Sequence, residues 1–138
     1  MERCPTYGGR NVATTELTAE NFESVVDGGG LVLVDFWAAW CGPCRMFGPV
    51  FERVSERHPD VVFGKVDTEA EPALAGGFGI SSIPTLMIIR DKVVLYAQPG
   101  ALPEQALEQL ISQAREIDME AVRASLAEGA EAADPARA

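Results

Sequence analysis

Seven residues, Leu31-Val32-Leu33-Val34-Asp35-Phe36-Trp37, form an apolar run broken by a single aspartate, and a Cys-x-x-Cys pair follows three residues later. A run with no polar face has nothing to turn toward water. It predicts a strand at the middle of a sheet, covered on both sides. Much of the rest of the chain must therefore supply covering helices and flanking strands.

The surrounding pattern does so. Residues 12–17 read as a short strand, and Thr18 as the cap of a helix over 19–27 with Phe22, Val25 and Val26 on one face. Gly28-Gly29-Gly30 ends that helix. Behind the cysteines, Phe47, Val50, Phe51 and Val54 repeat at i, i+3, i+4 and i+7, opposite Glu52, Arg53, Glu56 and Arg57. Pro49 lies inside this helix and is expected to kink it. Residues 60–66 read as a strand and 70–76 as a short helix. Residues 85–89 and 93–97 read as two strands joined through Arg90-Asp91-Lys92 in an antiparallel hairpin. Pro103 opens a last core helix carrying Leu107, Leu110 and Ile111. The order βαβαβαββα predicts an α/β fold, a mixed sheet sandwiched between helices.

A chain of 138 residues, 47% of them apolar, suits one soluble domain. We assign it to residues 12–117. Residues 1–11 are rich in glycine and turn formers and are expected to be flexible. In the extension, 118–138, a helix is expected from Met119 to about residue 127 through Val122 and Leu126. The acidic, alanine-rich 128–138 is expected to be disordered. A formal charge of −10, from 21 acids against 11 bases, opposes binding to nucleic acid or to anionic membranes. No stretch reaches the roughly 18 apolar residues of a membrane span, and the first residues contain no apolar signal core. A cytoplasmic setting, where thiols stay reduced, is the expectation. Three cysteines there do not make a disulfide framework, so Cys41 and Cys44 read first as redox chemistry.

Disulfide exchange needs a thiolate, an attackable sulfur and a second thiol to resolve the mixed disulfide. Cys41, at a helix N-terminus, faces free N–H groups and the positive end of the dipole. Cys44 sits one turn in and is shielded by the helix. Cys41 is thus the nucleophile and Cys44 the resolving thiol. Lowering a thiol pKa from ~8.5 to ~7 raises the anion at neutral pH about fifteenfold, but weaker nucleophilicity takes back about fivefold. Proximity of the second thiol matters more, since oriented intramolecular reactions reach effective molarities of ~10⁵ M. Neither Gly42 nor Pro43 adds a cation to stabilise the thiolate further, which favours a reductant over an oxidant. The competing reading of a Cys-x-x-Cys is half a zinc site. Zinc wants four ligands, and the only other Cys or His residues are Cys4 and His58. His58, beside Pro59 at a helix end, reads as a solvated or dipole-facing side chain, so no metal is expected.

With Val34-Asp35-Phe36-Trp37-Ala38-Ala39-Trp40-Cys41-Gly42-Pro43-Cys44-Arg45 in view, residues 12–117 resemble thioredoxins. Further matching motifs are Gly64-Lys65-Val66-Asp67, Phe78-Gly79-Ile80-Ser81-Ser82-Ile83-Pro84-Thr85 and Gly100-Ala101. The resemblance implies a thioredoxin fold, a five-stranded mixed sheet flanked by about four helices. It implies that Asp35 is a buried acid that takes the Cys44 proton, and that Lys65 modulates the pKa of that acid. The alternatives are a strand-end aspartate capping a loop and an exposed strand lysine. It further implies a cis bond at Ile83-Pro84 and an apolar docking surface of Trp40, Gly42, Pro43, Ile83, Pro84, Gly100 and Ala101; Trp40 as a plain core residue is the alternative. The implied activity is reduction of disulfides in client proteins by the Cys41–Cys44 couple with no other cofactor. The implied electron donor is an NADPH-linked flavoprotein, thioredoxin reductase, and the implied state a monomer. Cys4-Pro5-Thr6-Tyr7-Gly8-Gly9 resembles a degenerate zinc knuckle with Tyr7 in place of a second cysteine. A reductant dedicated to one client, and a non-catalytic partner subunit binding through the Trp40 surface, are the other functions such a chain could serve.

Overall fold

A computed structural model describes residues 13–132. The expectations for residues 1–12, the Cys4 segment included, and for 133–138 lie outside the described residues. The elements are β1 (Thr14–Glu16), α1 (Phe22–Asp27), β2 (Leu31–Trp37), α2 (Gly42–Ser55) and β3 (Val62–Asp67), followed by α3 (Pro72–Gly77), β4 (Thr85–Arg90), β5 (Val93–Pro99), α4 (Glu104–Glu116) and α5 (Met119–Ala132). They form one five-stranded sheet in the order β1-β3-β2-β4-β5. β3 runs parallel to β1 and β2, whereas β4 is antiparallel to β2 and β5. The apolar run thus lies at the centre of a mixed α/β sheet, as its composition requires.

Alternation along β2 sorts the core into two layers. Leu31 and Leu33 join Phe47, Phe51 and Val54 of α2, Phe63 of β3, and Leu107 and Ile111 of α4 on one side. Val32, Val34 and Phe36 join Phe22 of α1, Val66, Met87 and Ile89 on the other. Asp35 and Trp37 continue the odd-numbered row, so the aspartate emerges on the face covered by α2. Three charged pairs strap α2 and the turn after it to α4 at the surface: Arg53 Nε lies 3.1 Å from Glu104, Arg57 Nη1 lies 2.8 Å from Glu108, and Arg57 also pairs with Glu104.

Several boundaries differ from expectation for local reasons. The Thr18 amide donates to Asn21 Oδ1 at 2.7 Å and the Glu20 amide to Thr18 Oγ1 at 3.2 Å. These bonds close a separate turn, so α1 starts only at Phe22. α2 runs on through Pro49. Asp91 and Lys92 take positive φ values of 51° and 72°, the backbone of a tight hairpin turn between β4 and β5. α5 extends to Ala132, beyond the expected end near residue 127, because an alanine-rich segment propagates a helix readily. The end of α4 is held by Arg90, whose Nη1 donates to the carbonyls of Ala114, Arg115 and Ile117 at 2.8, 3.2 and 2.9 Å. These are α4's last orphan acceptors.

Of the two roles expected for His58, solvated or facing the helix dipole, the solvated one does not hold. Arg115 Nη2 donates to its Nδ1 at 3.0 Å, so the ring proton sits on Nε2 and donates to Glu108 Oε1 at 2.7 Å. The imidazole is 17% exposed and stacks on Phe63. Asp60, bonded to the same guanidinium at 2.6 Å, completes the group, and that contact holds its carboxyl below the usual range.

Gly64 meets a close approach. A Cβ there would stand 2.7 Å from Cγ of the fully buried Leu17. Gly64→Ala is expected to cost about 1–3 kcal/mol through overpacking. Urea unfolding would register this as a lower midpoint with an unchanged slope. Among the described residues no helix is long and apolar enough to cross a membrane.

Candidate active site

β2 ends at Trp37, and the chain turns through Ala38-Ala39-Trp40 before entering α2, so the two cysteines lie just past the C-terminal end of the central strand. Cys41 is the N-cap of α2, with extended backbone (φ −88°, ψ 115°), and Pro43 occupies the first turn, where its missing N–H costs nothing. The Cys41 Sγ accepts the Cys44 amide N–H at 3.2 Å. An amide aimed at this sulfur, added to the helix dipole, stabilises a thiolate there. Cys41 and Cys44 are joined as a disulfide across a Cα–Cα distance of 5.2 Å, within the usual span for such a bond. They are 5% and 4% exposed, packed with Ala38, Trp37 and Ile83.

The loops around the pair assemble the rest of the expected surface. The Ile83–Pro84 bond is cis, and the Ile83 carbonyl oxygen lies 3.7 Å from Cys41 Sγ. Gly100, at φ +116°, donates its N–H to the Pro84 carbonyl at 2.7 Å, which pins the Gly100-Ala101 loop beside the cis-proline. Trp40 is 66% exposed, which removes the core-residue alternative. Its indole Nε1–H donates to Glu69 at 3.1 Å. Gly42, Pro43, Gly100 and Ala101 are exposed, Ile83 is half-buried, and Pro84 is buried beneath them. Backbone groups and apolar side chains thus dominate the surface around the disulfide.

Asp35 is fully buried, and neither carboxyl oxygen has a hydrogen-bond partner among the described residues. A loop-capping aspartate would have partners, so that alternative falls. Burial pushes its pKa from 3.8 up to about 7, the Lys65 ammonium pulls it down, and Glu52 pushes it up. Lys65 is Asp35's register partner across β2 and β3. Lys65 and Glu52 line an open cleft of about 320 Å³, together with Cys44, Trp37, Arg45, Gly48 and Pro49. Lys65 is only 22% exposed, which sets aside a free surface lysine. Glu52 is the participant that sequence reasoning assigns to an outer face. The signal for it is spacing: Cys44, Gly48 and Glu52 lie four residues apart, on one side of α2.

A buried group ionising near neutrality, on the sheet face that α2 covers, has the proton affinity to accept a proton from one sulfur of a dithiol while the other carries the covalent bond. Comparison with known proteins identifies the family. The family model described as Thioredoxin matches residues 13–113. A Streptomyces coelicolor protein named "Putative thioredoxin 2" is 62% identical over 116 residues, covering 84% of this chain and 87% of that one. Thioredoxin C-3 of Corynebacterium nephridii is 42% identical over 99 residues, or 71% of this chain and 68% of that one. Among solved structures, the N21Q mutant thioredoxin from Halobacterium salinarum NRC-1 is similar at TM-score 0.70 and 32% identity, covering 76% and 93% of the two chains.

Proposed function

This chain belongs to the thioredoxin family and is a thiol-disulfide oxidoreductase, and from that premise we propose how its residues divide the work. The reduced chain presents Cys41 as a thiolate, held by the Cys44 amide and the α2 dipole. The anion attacks one sulfur of a client disulfide. That S–S bond breaks, and its electron pair leaves on the client's other sulfur. Cys44 gives its proton to Asp35 and attacks the Cys41 sulfur, breaking the mixed disulfide. The client departs as a dithiol after taking up protons, two electrons richer, and the chain is left as the Cys41–Cys44 disulfide. Lys65 limits how far burial raises the proton affinity of Asp35.

The client docks as an extended segment on Trp40, Gly42, Pro43, Ile83, Pro84, Gly100 and Ala101. The exposed indole of Trp40 and the carbonyl of Ile83, 3.7 Å from the attacking sulfur, support this placement. Because that surface reads backbone and apolar groups, it suits many protein disulfides and not one dedicated client. An NADPH-linked flavoprotein of the thioredoxin reductase type returns the two electrons, and the cycle runs in the cytoplasm. The observation that carries the reading is the Cys44 amide bonded to Cys41 Sγ at the tip of α2.

Insulin supplies the test. With dithiothreitol as the electron source, the chain should bring on precipitation of the insulin B chain within minutes. Turbidity no faster than with dithiothreitol alone would leave the fold serving only as a binding module.

A further inference from the structure

Lys65 stands in register with Asp35 on β2 and with Glu16 on β1, yet its ion pair among the described residues is with Glu52 of α2. Its Nζ lies 3.7 Å from Glu52 Oε2 and 5.1 Å from the centroid of the Trp37 ring. It passes over Gly48, where a Cβ would sit 3.7 Å from the same nitrogen. The two oxygens of Asp35, its neighbour across the sheet, remain without any hydrogen-bond partner among the described residues. Glu52 is itself only 22% exposed and lines the same cleft as Cys44. A half-buried acid opposite a half-buried lysine is more than a solvated helix face.

We propose that Glu52 is a positioning residue for the exchange reaction: it holds the Lys65 ammonium at the mouth of the cleft, away from Asp35, and so keeps the buried carboxyl free to take the Cys44 proton. The proposal rests on the reading of Asp35 as proton acceptor given above. Its physical basis is competition for one cation. Without the Glu52 charge, the carboxylates left to the ammonium are its two register partners, the buried Asp35 and the exposed Glu16, and the one shielded from water attracts it more strongly. A carboxylate whose lone pairs are held by an ammonium is a poor base. The charged groups facing Asp35 are Glu52 from α2 and Lys65 from β3, with Arg45 at the cleft lip. The register partner on β4, Leu86, brings no charge. Losing Glu52 removes a repulsion from Asp35 and frees an attraction toward it. Both changes act in the same direction.

Carbon-13 NMR titration of the Asp35 carboxyl in the oxidised chain tests this. Glu52→Gln should lower the Asp35 midpoint by about one pH unit, and Glu52→Asp, which keeps the charge, should leave it near the parent value. Lys65→Met should raise the midpoint. In the Lys65→Met background the Glu52→Gln shift should shrink, since no ammonium is left to release. An unmoved midpoint in Glu52→Gln, or an equal shift with and without Lys65, would overturn the proposal. The titration needs no turnover. Failure of the parent chain to reduce insulin would therefore strike the functional reading, whereas an unmoved titration in a chain that reduces insulin strikes the role of Glu52 alone.

Discussion

A Cys44→Ser chain is expected to react once with a client and stop. Cys41, still bonded to the residue 44 amide at the tip of α2, can attack and form the mixed disulfide. The hydroxyl that replaces the second thiol cannot displace a disulfide sulfur at neutral pH. Release then depends on an external thiol at about 1 mM, against a neighbour whose effective concentration is many orders of magnitude higher. Steady-state turnover should fall by on the order of 10³-fold or more, while a covalent adduct accumulates. Non-reducing electrophoresis reads the adduct, and Cys41→Ser should form none. A Cys44→Ser chain with near-parent turnover would mean that some other group resolves the intermediate.

The second large effect concerns Asp35, in both stability and rate. Burial raises its folded-state pKa from 3.8 to about 7, so the folded chain binds this proton more tightly than the unfolded one. The stability this supplies is complete below pH ~4 and is lost as pH rises toward 7, a swing on the order of 4 kcal/mol. The carboxyls of Asp60, Glu104 and Glu108 are held low by arginine partners and act in the opposite sense, in a more acidic window. Asp35→Asn should therefore flatten the decline in unfolding free energy between pH 4 and 8, measured in urea. Removing the proton acceptor should also slow resolution of the mixed disulfide by about 10²-fold, the lower end for general-base catalysis. An unchanged pH slope would show that the carboxyl is better solvated than its burial implies. Unchanged kinetics would remove it from the reaction.

Much of this architecture is legible in the chain because two periodicities govern it. The apolar run Leu31–Trp37 can serve only as a covered strand, and it lies third of five in the sheet. The i, i+3, i+4 row Phe47-Val50-Phe51-Val54 fixes the buried face of α2, and the Cys-x-x-Cys at its start fixes the redox pair. Position-specific packing is harder to read. Glu52 belongs to a run of charges that looks solvated, and only the glycine at 48 hints that a partner side chain crosses there. His58 gives no local sign that Arg115 and Glu108, some fifty residues on, will enclose it. The cis bond before Pro84 is legible only through the family resemblance, since the isomer depends on tertiary context. The late start of α1 turns on whether Thr18 or Asn21 begins the helix, a choice decided by side-chain to backbone bonds that propensity does not resolve.

The middle place of β2 carries a dynamic consequence. Asp35 sits in a strand bonded on both edges, the kind of segment whose amides exchange with solvent only when the whole domain unfolds. Backbone breathing is too rare to ferry a proton between this carboxyl and bulk water on the timescale of turnover. In the proposed role, Asp35 therefore exchanges its proton through side chains or water beneath α2 and not through opening of the strand. Deuterium labelling should thus find the Asp35 amide among the last in the chain to exchange.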